Sequence, residues 1–247
     1  MIRVDDCGAD GGGAGDGSDG GEDLRIVTLA RPDRRNALTV EGLDALERAI
    51  TETDASVVYL RGEGPAFCAG ADLDVVSGLD REAAEAFAEQ GQRVANSIES
   101  ADSVVVAGVD GAARGGGVEL ALACDLRVAT PEATFAEPGV KLGLFGAWGG
   151  TVRLPRVLGE GEALDLALSG RTVDAEEALR MGLVSRVTDD PRAVADELAE
   201  NDPETLRVVK SRMRDRSGAS EQEAREAEAF GRLVERHANA IAEERGE

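Results

Sequence analysis

This chain has few of the residues that carry metal, disulfide or aromatic chemistry. Its 247 residues include one histidine, one tryptophan, one tyrosine and three cysteines. Cys7, Cys68 and Cys124 are widely spaced, odd in number and form no CxxC pair, so they predict neither a disulfide framework nor a zinc site. His237, the only histidine, lies in a polar terminal helix, where we expect its side chain to be exposed. A Ser-His-Asp or Cys-His group within one chain is therefore excluded, together with the common hydrolase mechanisms that need it.

Long apolar runs and a secretory signal are also missing. The longest apolar runs, at 103–109 and 118–124, are far shorter than the ~20 residues that a membrane-spanning helix needs. The first residues carry no basic region followed by an apolar run, which a secretory signal would show. The sequence thus predicts a protein without membrane association and a cytoplasmic location.

Positive charge is scarce as well. The chain has 27 basic residues, of which only Lys141 and Lys210 are lysines, against 49 acidic ones, and its net charge is −22. Such a surface repels nucleic acid, so we expect no nucleic-acid partner. Self-repulsion is screened at high ionic strength, where the Debye length falls to about 3 Å at 1 M salt. The composition therefore predicts adaptation to a salt-rich cytosol, with an acidic protein of ordinary cytosol as the alternative.

The segment 8–23 contains only small, acidic and polar residues. It cannot join a hydrophobic core, and we expect a flexible loop. It holds one formal G-x-G-x-x-G match at Gly15, Gly17 and Gly20, but a dinucleotide site needs a strand before the match, and here a strand follows. The Asp/Gly pattern is also typical of calcium-binding repeats, yet a single pass without the periodic aliphatic residue argues against that use.

From Leu24 onwards the sequence alternates short β-rich runs with helical ones, which predicts an α/β fold. We expect strands at 24–30, 56–60, 103–109 and 126–130, and helices at 40–51, 81–100, 164–168, 174–181, 192–200, 203–214 and 220–244. A short apolar helix should also follow the glycine turn 115–117 and run to Cys124. The last of these suggest a core over 1–190 and a C-terminal helical region over 191–247.

Two glycine-centred turns, 67–73 and 111–120, each follow a strand of Val, Leu and Ala. In the second turn Gly115, Gly116 and Gly117 precede a helix, so free N–H groups and the positive end of the helix dipole point beyond the turn. This is the arrangement that a developing oxyanion needs. The alternative interpretation of such a cluster is a tight turn without a ligand.

These turns and four further blocks, in this order, resemble the enoyl-CoA hydratase/isomerase (crotonase) family from about residue 24 to about residue 230. The other blocks are RPDRRNAL at 31–38, Cys124-Asp125, GLFGAWGG at 143–150, and LSGR at 168–171 with Ala175 and GLV at 182–184. The resemblance implies an α/β spiral of ββα units with a C-terminal helical region used in trimer assembly. It also implies that the partners are a bent acyl-CoA substrate and copies of the chain, in a homotrimer or a dimer of trimers. Coenzyme A would be part of the substrate, and the resemblance implies no separate cofactor and no metal.

The resemblance assigns the chemistry residue by residue. The N–H groups of Ala71 and Gly116 would form the oxyanion hole that polarises the thioester carbonyl, and the backbone of Ala37 and Ala69 would meet the adenine. Glu119 aligns with the first of two glutamates that hydratases use. It would take a proton from water as a general base, or return one to the α-carbon as an acid. Its alternative role is to stabilise the helix dipole from the first helical turn.

Gly70, Asp72 and Leu73 complete the substrate-binding residues that the resemblance implies. Asp72 and Asp125 also fit turn or capping roles. Trp148 replaces a small residue of the family's glycine turn. We expect it to pack against its neighbours, with narrowing of the acyl pocket as the alternative.

One position departs from the family pattern. Hydratases carry their second catalytic glutamate directly after a proline, where this chain has Gly139 after Pro138. Glu137 lies two positions earlier. On an extended backbone it would be displaced by roughly 6–7 Å, too far to substitute without a local shift. The expected function is an enoyl-CoA hydratase-type lyase, with a double-bond isomerase, another enolate-forming enzyme or a catalytically decayed acyl-CoA-binding subunit as alternatives.

Overall fold

The computed structural model describes residues 1–7 and 23–244. The loop expected at 8–23 therefore lies outside the described residues, except for Asp23. The backbone carbonyl of Asp23 accepts hydrogen bonds from the Val57 N–H at 3.0 Å and from the Ser56 hydroxyl at 3.1 Å. This end of the loop is thus anchored to the start of a strand.

Strands form two sheets in the described part of the chain. The larger has the order β1-β2-β3-β4-β6-β9, and the smaller has the order β5-β7-β8. Pairing is parallel throughout the larger sheet apart from β1, which runs antiparallel to β2. The strands are β1 (Ile2–Cys7), β2 (Leu24–Leu29), β3 (Val57–Gly62), β4 (Val104–Val109), β5 (Ala112–Arg114), β6 (Leu126–Ala129), β7 (Thr134–Ala136), β8 (Thr172–Asp174) and β9 (Arg186–Val187).

Helices connect the strands and continue beyond them. They are α1 (Val40–Thr51), α2 (Leu73–Val76), α3 (Arg81–Ser100), α4 (Gly116–Ala123), α5 (Gly150–Leu158), α6 (Glu160–Ser169), α7 (Ala175–Met181), α8 (Pro191–Ala199), α9 (Pro203–Arg214) and α10 (Ala219–Glu244), with short 3-10 turns at Pro32–Arg34 and Pro138–Leu142. The bounds expected for α1, α3 and α9 are confirmed. Their apolar periodicity and their Thr39, Asp80 and Asp202 N-caps marked both the faces and the starts of these helices.

A strand–strand–helix repeat organises the first part of the fold. In β4–β5–α4 and β6–β7–α5, one strand joins the larger sheet, the next joins the smaller sheet, and a helix follows. Isolated parallel bridges extend the pattern, because Cys68 bridges to Ala113 after β3, and Leu38 bridges to Ala71 after β2. The expected α/β spiral of ββα units is therefore confirmed.

The elements β1, α2, β5, β7, α5, β8 and β9 were not predicted, and β1 and α5 show why. Most residues of β1 are exposed and it carries Asp5 and Asp6, so it lacks the apolar alternation that marks a strand. Pairing with the edge of β2 determines its conformation. Helix α5 begins at Gly150 and contains Pro155, and both residue types disfavour helix. Packing of α5 against α4 and α6 supports a helix that local propensity does not.

The core lies between the larger sheet and the helices that cover it. Val27, Leu60 and Val105 are fully buried in adjacent parallel strands, and Leu43 and Ile98 are fully buried on α1 and α3. Each such side chain contributes about 1.5–3 kcal/mol relative to exposure. This core fixes the ends of β3 and β4, from which the two glycine turns emerge.

The described chain divides into two compact units, Met1–Glu200 and Asn201–Glu247. The division falls later than the expected 190, because α8 packs against β2, β3, β4 and β6 and so belongs to the first unit. In the second unit α9 packs against α10. His237 on α10 lies 3.5 Å from Asp202 and is half-buried, where we expected an exposed side chain. None of the described helices combines the length and apolar character required to cross a bilayer.

Candidate active site

A cavity of about 310 Å³ lies where the two glycine turns meet α4. Five of the residues expected at the site line it: Ala69, Ala71, Leu73, Gly116 and Glu119. Glu137, Gly139 and Trp148 line it as well. Ala37, Gly70 and Asp72 are not among the lining residues.

The first turn approaches the second so closely that only glycine fits between them. Gly70 has φ +84°, and a Cβ on it would lie 2.7 Å from both the Arg114 carbonyl oxygen and the Gly116 nitrogen. Around Ala71, the Leu38 N–H donates to the Gly70 carbonyl at 2.8 Å, and the Asp72 N–H donates to the Leu38 carbonyl at 2.9 Å. The turn is thereby held in place. No acceptor within the described residues engages the N–H of Ala71 itself.

The second turn presents the first N–H groups of α4. Gly115 has φ +50° and donates its N–H to the Ala136 carbonyl at 3.0 Å, which ties the turn to the smaller sheet. Gly116 is the first residue of α4, so its N–H has no partner within the helix and lies at the positive end of the dipole. Ala71 and Gly116 thus both line the cavity, and hydrogen bonds within the protein hold the two turns that carry them. The oxyanion-hole role of their N–H groups stays a prediction.

Glu119, in the first turn of α4, lines the same cavity. It is only 2% exposed, and its Oε1 accepts hydrogen bonds from the N–H groups of Trp148 at 2.7 Å and Gly150 at 2.6 Å. Burial raises the pKa of Glu119 to about 7, although these two N–H groups and the charge of Arg153 oppose the shift. A carboxylate with a pKa near neutrality suits general acid–base catalysis.

Trp148 supports this arrangement from the side of the cavity. It is buried, and its ring packs edge-on against Phe87 with centroids 5.8 Å apart. A Cβ on Gly91 or Gly116 would collide with the indole. The expectation that Trp148 packs against its neighbours is confirmed, and the ring also forms part of the cavity wall.

Asp72 and Ala37 are held in the framework beneath the cavity. Asp72 caps α2 by accepting the Asp74 N–H, and its carboxylate pairs with Arg31 at 2.6 Å and Arg34 at 3.2 Å. Burial raises the pKa of Asp72, but these bonds outweigh burial and hold the pKa below its ordinary value. Ala37 is buried, and its carbonyl accepts from Arg31 at 3.1 Å. The capping role of Asp72 is confirmed, and substrate contacts of both residues stay predictions.

Glu137 is the site residue that sequence reasoning set aside. It is 5% exposed and lines the cavity with Glu119, and burial, with the negative charge of Glu119 adding to it, raises the pKa of Glu137 to about 8. The extended backbone assumed around it is wrong, because Glu137 has φ −107° and ψ 71° and a 3-10 turn begins at Pro138. Pro138 was the available signal, since proline at the first position commonly opens a helical turn.

A side chain at Gly139, such as the one the family pattern carries there, would require the neighbouring backbone to move by a few tenths of an ångström. A Cβ on it would lie 3.1 Å from the Leu144 carbonyl oxygen and 3.2 Å from the Phe145 Cα. A second cavity, of about 390 Å³, adjoins this region and shares Glu137, Phe145 and Gly146 with the first. Glu137 therefore stands at the boundary between two cavities.

The fold and the site together define a class: an α/β enzyme in which two glycine turns and two buried glutamates line one cavity. The family model described as enoyl-CoA hydratase/isomerase matches residues 20–240. A "Probable enoyl-CoA hydratase" of Bacillus subtilis is 38% identical over 195 residues, covering 74% of this chain and 75% of that protein. A "Short-chain-enoyl-CoA hydratase" of Clostridium acetobutylicum is 34% identical over 198 residues, covering 76% of each.

Solved structures agree with the sequence relatives. The crystal structure of an enoyl-CoA hydratase from Bacillus anthracis superposes with a TM-score of 0.80 at 31% identity, covering 86% of this chain and 88% of that one. The chain belongs to the enoyl-CoA hydratase/isomerase family. The resemblance inferred from the ordered sequence blocks is thus confirmed.

Proposed function

We propose that this enzyme adds water to the C2=C3 double bond of a 2-enoyl-CoA thioester. The observation that carries the proposal is the shared cavity, because the buried Glu119 lines it together with Ala71 and Gly116. Relatives named as enoyl-CoA hydratases support the reaction class.

The chemistry follows from where charge develops. Glu119 takes a proton from water as the water oxygen attacks C3, and the electron pair of the double bond moves towards the thioester. The resulting enolate oxygen accepts hydrogen bonds from the N–H groups of Ala71 and Gly116. Removing one such donor typically lowers the rate by about 10²–10³-fold. C2 then accepts a proton from a carboxyl group of the site, which gives the 3-hydroxyacyl-CoA.

Replacement of Glu119 by glutamine tests this assignment. Glu119→Gln keeps the size of the side chain but removes the proton-transferring group, so we expect crotonyl-CoA hydration to fall by about 10²–10⁴-fold. Affinity for the 3-hydroxyacyl-CoA product should stay within a few fold. Glu132→Gln, at an exposed position, is the matched control and should retain full turnover. Full activity of Glu119→Gln would contradict the assignment.

Double-bond isomerisation is the second candidate, and Gly139 favours it. A site without a side chain at this position lacks the carboxylate that hydratases place there, whereas a single base can shuttle a proton between C2 and C4. Hydration of crotonyl-CoA and isomerisation of a 3-enoyl-CoA, measured side by side on the wild-type protein, separate the two. A third alternative, an acyl-CoA-binding subunit, predicts binding without either turnover.

Assembly, location and adaptation to salt extend the proposal. We propose a homotrimer or a dimer of trimers, supported by large apolar side chains that are exposed on the second unit: Val209, Met213, Phe230, Val234 and Ile241. Sedimentation equilibrium from 0.1 to 3 M KCl would give the mass of the assembly, and a monomer at every concentration would contradict it. A cytoplasmic location, a lack of nucleic-acid partners and adaptation to high salt stay predictions.

A further inference from the structure

The two carboxylates of the cavity differ in how they are held. Glu119 is fixed by the two N–H groups that donate to its Oε1. Glu137 is almost as buried, yet its Oε1 has no hydrogen-bond partner among the described residues. Buried polar atoms in folded proteins are nearly always paired, so such an atom calls for an explanation.

The backbone around Glu137 explains how its carboxyl group reaches the cavity. β7 ends at Ala136, whose carbonyl accepts the Gly115 N–H at 3.0 Å. Glu137 therefore follows directly after a residue that is hydrogen-bonded to the Gly115–Gly117 turn. Since the chain then enters the 3-10 turn of Pro138–Leu142, Glu137 and Gly139 lie on one tight turn and both line the cavity.

We propose that Glu137 is the second acid–base residue of this enzyme and donates the proton that C2 accepts, replacing the carboxylate that Gly139 lacks. This inference rests on the proposed hydration. The carboxyl group of Glu137 is not committed to another role, because no group of the described protein bonds to its Oε1 although the residue lines the cavity.

The proposed step conserves protons and electrons. The water oxygen bonds to C3 while its proton passes to the Glu119 carboxylate, and the C2=C3 electron pair becomes the enolate. The enolate then forms a C2–H bond with the proton of the Glu137 carboxyl group, and the thioester carbonyl re-forms. Proton transfer from Glu119 to Glu137 through solvent resets the pair.

The pKa values of Glu119 and Glu137 suit their roles as base and acid. Burial raises the pKa of Glu119 to about 7 and that of Glu137 to about 8, so the form with one ionised base and one protonated acid lies between these values. Other charged groups near Glu137 are Arg153 on α5, which acts on Glu119, Glu160 on α6 at the adjoining cavity, and Lys141 on its own turn.

Glutamine and aspartate at position 137 test the proposal. For Glu137→Gln we expect kcat for crotonyl-CoA hydration to fall by about 10²–10⁴-fold with KM within a few fold. The wild-type profile of kcat/KM against pH should be bell-shaped, and the variant should lose the alkaline limb, since that limb reports the acid. Glu137→Asp keeps the carboxyl group and should retain both limbs with reduced kcat. Glu160→Gln, at an exposed position beside the second cavity, should match the wild type.

The outcomes separate this inference from the proposed function. If Glu137→Gln keeps full hydration or keeps the alkaline limb while Glu119→Gln is inactive, the role of Glu137 is overturned and the hydratase assignment stands. If the wild type hydrates nothing, the proposed function fails first. Should Glu137→Gln not fold, the wild-type profile and Glu137→Asp decide, and a wild-type profile without an alkaline limb overturns the role.

Discussion

Two walls of the same cavity are built on different physical principles. The backbone wall consists of Ala71, which follows Gly70 in the first turn, and of Gly115 and Gly116 in the second. The carboxylate wall consists of Glu119 and Glu137. The donors of the backbone wall are fixed by dihedral angles and strand bridges and carry no titratable proton. The carboxylates owe their state to burial, so their protonation changes near neutral pH. Substitutions in the backbone wall should therefore act by displacing the N–H donors, and substitutions in the carboxylate wall should act by changing charge and protonation.

The largest expected effect comes from a methyl group between the two turns. Gly70→Ala must adopt φ near +84° and place its Cβ 2.7 Å from the Gly116 nitrogen, so the turns have to separate. Because both donors flank this contact, we expect kcat/KM for crotonyl-CoA to fall by at least the ~10²–10³ that one oxyanion donor contributes.

Gly78→Ala is the control for that change. Its Cβ would meet only the Val75 carbonyl oxygen, at an ordinary 3.6 Å. Steady-state kinetics at several pH values should show Gly70→Ala lowered by the same factor throughout. A loss confined to one limb of the pH profile would mean that the backbone wall acts through the carboxylates, and would erase the distinction between the walls.

The backbone wall was predictable from sequence, whereas half of the carboxylate wall was not. Glycine and alanine residues before a helix indicate that the backbone comes close to another group, whatever the surrounding fold. The position of Glu119 at the site could be predicted because it lies in the first turn of that helix. The role of Glu137 depends on the local path of the chain, since the same spacing on an extended strand would carry it away from the cavity. Likewise α1 and α3 were predictable from amphipathic periodicity, but α5, with Gly150 and Pro155, forms through tertiary packing.

A stability measurement sharpens the comparison from the carboxylate side. The pKa of Glu137 rises from 4.5 to about 8 on folding. Below about pH 4.5 its carboxyl group is protonated in both states. Between that pH and about 8 the carboxyl group ionises only in the unfolded chain. Each pH unit in this range therefore lowers the free energy of unfolding by up to ~1.4 kcal/mol. Glu137→Gln should therefore gain on the order of 4 kcal/mol relative to the wild type at pH 8, and little at pH 4.

Urea denaturation of both proteins across this pH range checks the sign. The gain should appear as the pH rises and should level off above about 8, where Glu137 ionises in the folded state too. Glu160→Gln, exposed in the native fold, should show no such trend. A difference between Glu137→Gln and wild type that is constant with pH would mean that burial does not perturb the titration of Glu137.

The smallest expected effect concerns the support of the backbone wall. Asp72 lies next to Ala71 and pairs with Arg31 and Arg34, and its side chain is only 3% exposed. Asp72→Ala removes an α2 cap and two charge-assisted hydrogen bonds to the partly exposed Arg31 and Arg34, so we expect a loss of roughly 2 kcal/mol in the free energy of unfolding. Asp74→Ala is the control, because Asp74 also pairs with Arg34 but is 77% exposed, and exposed pairs contribute about 0–1 kcal/mol.

Since Asp72 does not line the cavity, KM for crotonyl-CoA should change less than threefold in both variants. A tenfold rise in KM for Asp72→Ala alone, with stability unchanged, would instead place Asp72 in contact with the substrate, as the sequence resemblance implied.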